Sequence, residues 1–204
     1  MKVFRGNDEN AHAYLVCRFD QCYVIDPASH YAEISDALGS RKLMGVLLTH
    51  AHSDHVDDIE RFNVPIYIHM SDAALLFMDE ANGYHPRKHP YQRRNLTIRS
   101  LMDCMRLPLG NGYIEVMHTP GHTKGSCSFL HRDEIYTGDT LFFEAVGRHD
   151  LYSGNLSELK RSVLRIMELP AQTRICPGHD RMSSIRHEQR NNPFYGKWKK
   201  QLRR

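Results

Sequence analysis

No stretch of this chain stays apolar long enough to cross a bilayer, and the opening residues Met1-Lys2-Val3-Phe4-Arg5-Gly6 lack the apolar core of a secretory signal. Neither a membrane partner nor export is therefore expected, and the expected compartment is the cytoplasm. Charge of one sign is also scarce. Lys and Arg number 27 against 24 Asp and Glu, and a net charge of +3 is too small to imply a nucleic-acid partner. Cysteine is sparse too: five residues, an odd number with no paired spacing, suggest free thiols and a reducing compartment. Cys176 reads as a small buried residue on a strand. What remains, 204 residues at 41% hydrophobic and 25% charged, suits one globular α/β domain with a sizeable core.

Histidine is abundant, at 14 residues, and it is concentrated. Thr49-His50-Ala51-His52-Ser53-Asp54-His55 follows the apolar run Gly45-Val46-Leu47-Leu48, which reads as a buried strand. Residues two apart on a strand share a face, so His50 and His52 can reach one point. Asp54 and His55 follow where the chain leaves the strand, and Asp57-Asp58 suit the first turn of a helix. So dense a run of imidazole and carboxylate is hard to explain without metal.

Three later turns repeat the pattern. Tyr113-Ile114-Glu115-Val116-Met117 alternates like a strand and ends at His118, before Thr119-Pro120-Gly121-His122-Thr123. Ile135-Tyr136-Thr137 leads into Gly138-Asp139-Thr140-Leu141-Phe142, and Thr173-Arg174-Ile175-Cys176 into Pro177-Gly178-His179-Asp180. Each is an apolar run ending in a glycine-containing turn that presents a His or Asp, and glycine lets backbone turn sharply there.

His50-x-His52-x-Asp54-His55, followed by His118, Asp139 and His179, resembles the metallo-β-lactamase-fold hydrolase superfamily. Thr119-Pro120-Gly121-His122-Thr123-Lys124-Gly125-Ser126, Gly138-Asp139-Thr140-Leu141-Phe142, Gly147-Arg148-His149-Asp150 and Pro177-Gly178-His179 are most similar to glyoxalase II (hydroxyacylglutathione hydrolase) and its short relatives. The likeness runs from about Asn10 to about Phe194. It implies an αββα sandwich of two mixed sheets flanked by helices, and two divalent metal ions, Zn by preference with Fe or Mn as alternatives. His50, His52 and His118 would hold the first ion, Asp54, His55 and His179 the second, and Asp139 would bridge them. Three protein ligands per ion leave room for a shared water, as a catalytic site requires. Asp54 and Asp139 would orient that water. Full-length glyoxalase II has a helical glutathione-binding domain beyond its last metal histidine; here 25 residues follow His179, and residues 1–204 read as one hydrolase domain without it.

Periodicity places strands at Tyr14 to Cys17, Tyr23 to Ile25, Met44 to Thr49 and Ile66 to His69, with helices near Tyr31 to Leu38 and Asp54 to Phe62. In the second half it places strands at Tyr113 to Val116, Ser126 to His131, Ile135 to Thr137 and Thr173 to Cys176. The helix between the last two, about Leu156 to Glu168, has one broad apolar face, a cap at Asn155 or Ser157, and Pro170 beyond its end. The basic, aromatic stretch from about Ala81 to Asn95 is either a solvated loop or a lid over the cleft. Its His85 and His89 are given no metal role.

The function expected is hydrolysis of a small-molecule thioester such as S-lactoyl-glutathione. Arg148 is either a clamp for a substrate carboxylate or a structural arginine paired with Asp150 or Glu144. The alternatives are a mononuclear-iron persulfide dioxygenase using His50, His52, His118 and Asp139, and a hydrolase of another ester or lactone. A binding module whose basic tail docks an acidic partner is the non-enzyme reading.

Overall fold

The computed structural model describes residues 1–83 and 96–201. The first sheet holds β1 (Lys2–Phe4), β2 (Ala13–Arg18), β3 (Gln21–Ile25), β4 (Lys42–Leu47), β5 (Ile66–His69) and β6 (Ile98–Leu101), side by side in that order. β1, β2 and β3 are antiparallel neighbours, and β3 to β6 run parallel. Between them lie α1 (Tyr31–Leu38), the short α2 (Ser53–Val56) and α3 (Met70–Ala73). The second sheet is built from β7 (Arg106–Leu109), β8 (Gly112–His118), β9 (Cys127–His131), β10 (Glu134–Gly138), β13 (Arg174–Pro177) and β14 (Ser183–Ser184), in the order β14-β13-β10-β9-β8-β7. A small ribbon, β11 (Leu141–Phe142) with β12 (Ala145–Val146), precedes α4 (Leu156–Ile166). α5 (Ile185–Asn191) and α6 (Pro193–Gln201) complete the described chain.

The period-2 pattern of the strands sorts residues into three layers. On β2 and β3, Tyr14, Val16, Tyr23 and Ile25 face Ile114, Val116, Phe129 and Tyr136 between the two sheets. Leu15, Cys22 and Val24 face the other way, onto Ile34 of α1 and onto Leu75 and Leu76. Met117 and Ile135 turn from the second sheet onto Leu159, Val163 and Ile166 of α4 and Trp198 of α6. Two mixed sheets face to face with helices outside are the αββα sandwich that the sequence implies. Asn155 caps α4, its side-chain oxygen accepting from Glu158 N at 3.0 Å.

Cys17 and Cys22 stand opposite each other on the β2–β3 ladder and form a disulfide, leaving Cys104, Cys127 and Cys176 free. The expectation of five free thiols is thus corrected, and with it the basis for reading a reducing compartment. A separation of five in sequence becomes direct opposition once a two-residue hairpin turn folds the strands together. Cys176 is buried on β13, as its neighbours suggest. Among the described residues no helix is long and apolar enough to cross a membrane. Residues 84–95, most of the stretch read as a loop or lid and including His85 and His89, lie outside the described residues.

Candidate metal centre

The centre is assembled by turns at the strand ends. β4 stops at Leu47, two residues earlier than expected, so His50 and His52 converge from the following turn rather than from a strand face. Asp26, at the end of β3 with φ 45°, organises that turn. Its Oδ1 accepts from Thr49 N at 2.8 Å, and its Oδ2 accepts from the Thr49 hydroxyl at 2.6 Å and from His55 Nδ1 at 2.9 Å. With its proton committed to Asp26, the Thr49 oxygen accepts from His50 Nδ1 at 3.0 Å. His122 Nδ1 lies 2.8 Å from the Arg148 carbonyl oxygen, which can only accept. Each of these contacts places a ring proton on Nδ1, so Nε2 is the nitrogen that His50, His55 and His122 turn inward.

Three ring nitrogens meet at one point. His52 Nδ1 is 3.0 Å from His50 Nε2 and 2.9 Å from His122 Nε2. A second group joins Asp54, His55 and His179, with His179 Nε2 2.9 Å from Asp54 Oδ2 and His55 Nε2 3.6 Å from the same oxygen. Asp139 lies between them: Oδ1 is 3.2 Å from His55 Nε2, and Oδ2 is 3.6 Å from His122 Nε2. Gly178 lets this happen, since an added Cβ would stand 2.5 Å from Asp139 Oδ1 and 2.6 Å from His55 Cε1.

These residues suit divalent cations. Among the described residues, three buried side-chain polar atoms lack a hydrogen-bond partner, and two of them, His55 Nε2 and Asp139 Oδ1, point into the centre. Buried polar atoms otherwise find partners. Imidazole nitrogen and carboxylate oxygen are donors that Zn, Fe and Mn all accept. Burial, reinforced by His55, holds His50 well below the usual imidazole range. Burial, reinforced by His122, takes His52 down to about 4. For His55 burial acts in the same direction, but Asp54, Asp139 and Asp26 outweigh it and raise its pKa well above the usual value. Asp139 and Asp54 are held below the usual carboxylate range because His55 outweighs the burial that opposes their ionisation. The centre thus presents neutral His50 and His52 and two carboxylates in their ligating form.

His118 is a correction. It lies outside the cluster, and His122 takes the place expected for it. On β8, Ile114 and Val116 face the other sheet, and His118 shares their parity; its ring stacks on His69 of β5 at 4.0 Å between centroids. Its Nε2 is 3.0 Å from the Lys124 carbonyl oxygen, and its backbone N–H donates to Asp103. The chain then turns at Gly121, φ 134°, and returns His122 to the centre. A repeated triplet carries that signal: Pro120-Gly121-His122 matches Pro177-Gly178-His179, with each histidine beyond its strand in the turn. The structure brings His50, His52, Asp54, His55, Asp139 and His179 together around the centre.

Two supporting residues escape sequence reasoning: Asp26, and Asp72 on α3. The fully buried Asp72 carboxylate accepts from Thr123 Oγ1 at 2.6 Å, Gly125 N at 2.7 Å and the Ala51 backbone. It therefore ties the His50–His52 turn to the turn bearing His122. A lone Asp in a short helix has no sequence signature for this. Arg148 reaches the cleft rim, and its guanidinium is engaged by Asp150 through two parallel 3.0 Å hydrogen bonds, the structural pairing weighed for it.

The cluster floors a cavity of about 1410 Å³, lined also by Asp8, Glu80, Met78, Phe142, Leu151 and Tyr152. The chain is 36% identical over 185 residues to an uncharacterized protein of Aquifex aeolicus, covering 86% of each. It is 31% identical over 193 residues to Bacillus subtilis "Probable metallo-hydrolase YqgX", covering 90% of this chain and 92% of that one. Hydroxyacylglutathione hydrolase of Shewanella oneidensis is 29% identical over 186 residues, which span 87% of this chain but 64% of the enzyme. Among solved structures, the BLEG-1 B3 metallo-β-lactamase superposes with TM-score 0.87 at 28% identity over 95% of this chain and 98% of its own. TTHA1623 in a di-iron-bound form gives 0.83 at 29%, over 95% and 100%, and ETHE1 from Myxococcus xanthus gives 0.78 at 26%, over 96% and 84%. The profile of the metallo-β-lactamase superfamily matches residues 6–179, and the chain belongs to that superfamily as a metallo-hydrolase.

Proposed function

We propose that this protein hydrolyses a thioester, in the manner of glyoxalase II, with two divalent ions, Zn by preference. One observation carries the reading: two three-residue ligand groups lie side by side on a cleft floor with the Asp139 carboxylate between them. His50, His52 and His122 would hold one ion and Asp54, His55 and His179 the other. Ions bound there supply a lowered pKa for water and polarisation of a carbonyl. The likeness to hydroxyacylglutathione hydrolase supports a thioester as the bond cleaved.

The remaining work falls to the chain's own groups. Asp54 and Asp139, held ionised by their histidine neighbours, orient the attacking water and take up its proton as the carbonyl is attacked. His179, aligned by Asp54, closes the second group toward the cleft. Asp26 and Thr49 engage Nδ1 of His55 and His50, so that Nε2 is the nitrogen each offers to an ion. The departing thiolate, with a conjugate-acid pKa of about 8.5, needs no strong acid.

The test is thiol release from S-lactoyl-glutathione by protein reconstituted with Zn, Fe or Mn, beside oxygen uptake with glutathione persulfide. Thiol release lost on chelation and restored by metal is the expected result. Oxygen uptake without thiol release would replace this reading with a dioxygenase. Turnover of only a lactone, oxygen ester or β-lactam would keep the centre and remove the thioester.

A further inference from the structure

The cleft has an apolar side that the hydrolytic chemistry does not use. The β11–β12 ribbon runs along the metal centre from one ligand group to the other. At its start the Phe142 ring lies 6.2 Å from the His179 ring; beyond its end, the Arg148 carbonyl oxygen accepts from His122. Phe142 and Val146 line the cleft from this ribbon, and Leu151 and Tyr152 extend the wall outward. Met78 and Ala81 line it from the other side, in the segment held to the centre by Ser53 N donating to the Asn82 carbonyl. Tyr152 is 54% exposed and Met78 40%. Large apolar side chains left open inside a concave surface next to a reactive centre fit a ligand's apolar part.

The polar side of the same cleft fits a carboxylate-rich substrate poorly. Arg148 is the one Lys or Arg among the described lining residues, and Asp150 already occupies the Nε–Nη2 edge of its guanidinium. Asp8, Glu9 and Glu80 also line the cleft.

Resting on the thioester reading above, we infer that the substrate's acyl group is an unbranched or aromatic hydrocarbon of roughly four to eight carbons, seated on the Phe142–Val146–Leu151–Tyr152 wall, rather than a small hydroxyacyl group. A carbonyl placed over Asp139 has the ribbon beside it, so an acyl substituent lying along the ribbon meets this wall. Each methylene moved from water to that wall strengthens binding by up to about fourfold.

Two series test this on metal-loaded protein. The first is kcat/KM for acetyl, lactoyl, butanoyl, hexanoyl and octanoyl thioesters of N-acetylcysteamine, an uncharged thiol. The second is calorimetric Kd for butanoate, hexanoate and octanoate, which needs no turnover. Hexanoyl should exceed acetyl and lactoyl by at least about tenfold, and Kd should fall about two- to fourfold per methylene. The paired substitutions Leu151→Ser and Tyr152→Ser, on partly exposed side chains, should flatten both series with metal content retained. Thioester turnover with lactoyl at least as good as hexanoyl, or carboxylate affinities independent of length, would overturn the apolar site and leave the thioester reading standing. No thioester turnover, together with a wall-dependent carboxylate series, would overturn the thioester reading and leave the apolar site.

Discussion

Asp26 Oδ2 sits 2.9 Å from His55 Nδ1, and the same oxygen takes the hydroxyl proton of Thr49, whose oxygen in turn faces His50 Nδ1. One buried carboxylate therefore sets the tautomer of a histidine in each ligand group. Asp26→Asn should preserve the fold, because Asn tolerates the positive φ at this position. The Asn side chain is a weaker acceptor, and its amide cannot serve both Thr49 and His55 as the carboxylate does. Metal affinity of the group containing His55 is expected to fall about 10- to 100-fold, the scale of changes to groups that orient ligands. Chelator competition on the purified variant measures it, and wild-type affinity would refute the role.

Asp72 acts on the other group. Asp72→Ala removes the acceptor shared by Ala51, Thr123 and Gly125, and leaves buried donors unpaired at about 1–3 kcal/mol. Thermal unfolding should shift down, and the three-histidine group should lose affinity before the Asp54–His55–His179 group does. Gly125→Ala should act similarly, since its Cβ would stand 2.5 Å from Asp72 Oδ1. Equal loss at both groups would contradict this placement.

The layers and most ligands are legible in the sequence, because period-2 alternation and glycine-bearing turns are local signals. Tyr31–Leu38 and Ile66–His69 form where their pattern puts them. The expected helix from Asp54 to Phe62 is instead α2 followed by a separate 3-10 turn at Ile59–Arg61, where Asp58 is drawn to Tyr31 N. The edge strands β1 and β14, three and two residues long, are too short to carry a pattern of their own and depend on a partner. His118 misleads for a related reason. Both it and His122 follow a strand reading, and only the packing of β8 against His69 decides which one turns inward. Asp26 and Asp72 are single carboxylates whose partners lie more than 20 residues away, so nothing local marks them.

Acidity should separate the two ions. His50 and His52 are held neutral well below pH 6, whereas His55 is held above its usual pKa by Asp54, Asp139 and Asp26 despite its burial. A proton on His55 competes with the second ion. Below His55's raised pKa, that ion should bind up to about tenfold more weakly per pH unit lowered, whereas His50 and His52, neutral from pH 6 to 8, add no such competition for the first. Titrations in buffers of differing ionisation enthalpy should find about one proton released with the second ion. The same pH slope for both ions would contradict the assignment.

The central claim is a two-ion centre whose three-histidine side ends at His122 and not at His118. Metal content per chain of the wild type, His122→Ala and His118→Ala, each reconstituted and freed of loose metal, tests it most directly. The wild type should hold two ions, about 3.5–4 Å apart in an anomalous-scattering map. His122→Ala should weaken the first ion at least about 100-fold, and His118→Ala should retain both. One ion per wild-type chain, or loss of metal with His118→Ala and not with His122→Ala, would contradict the account.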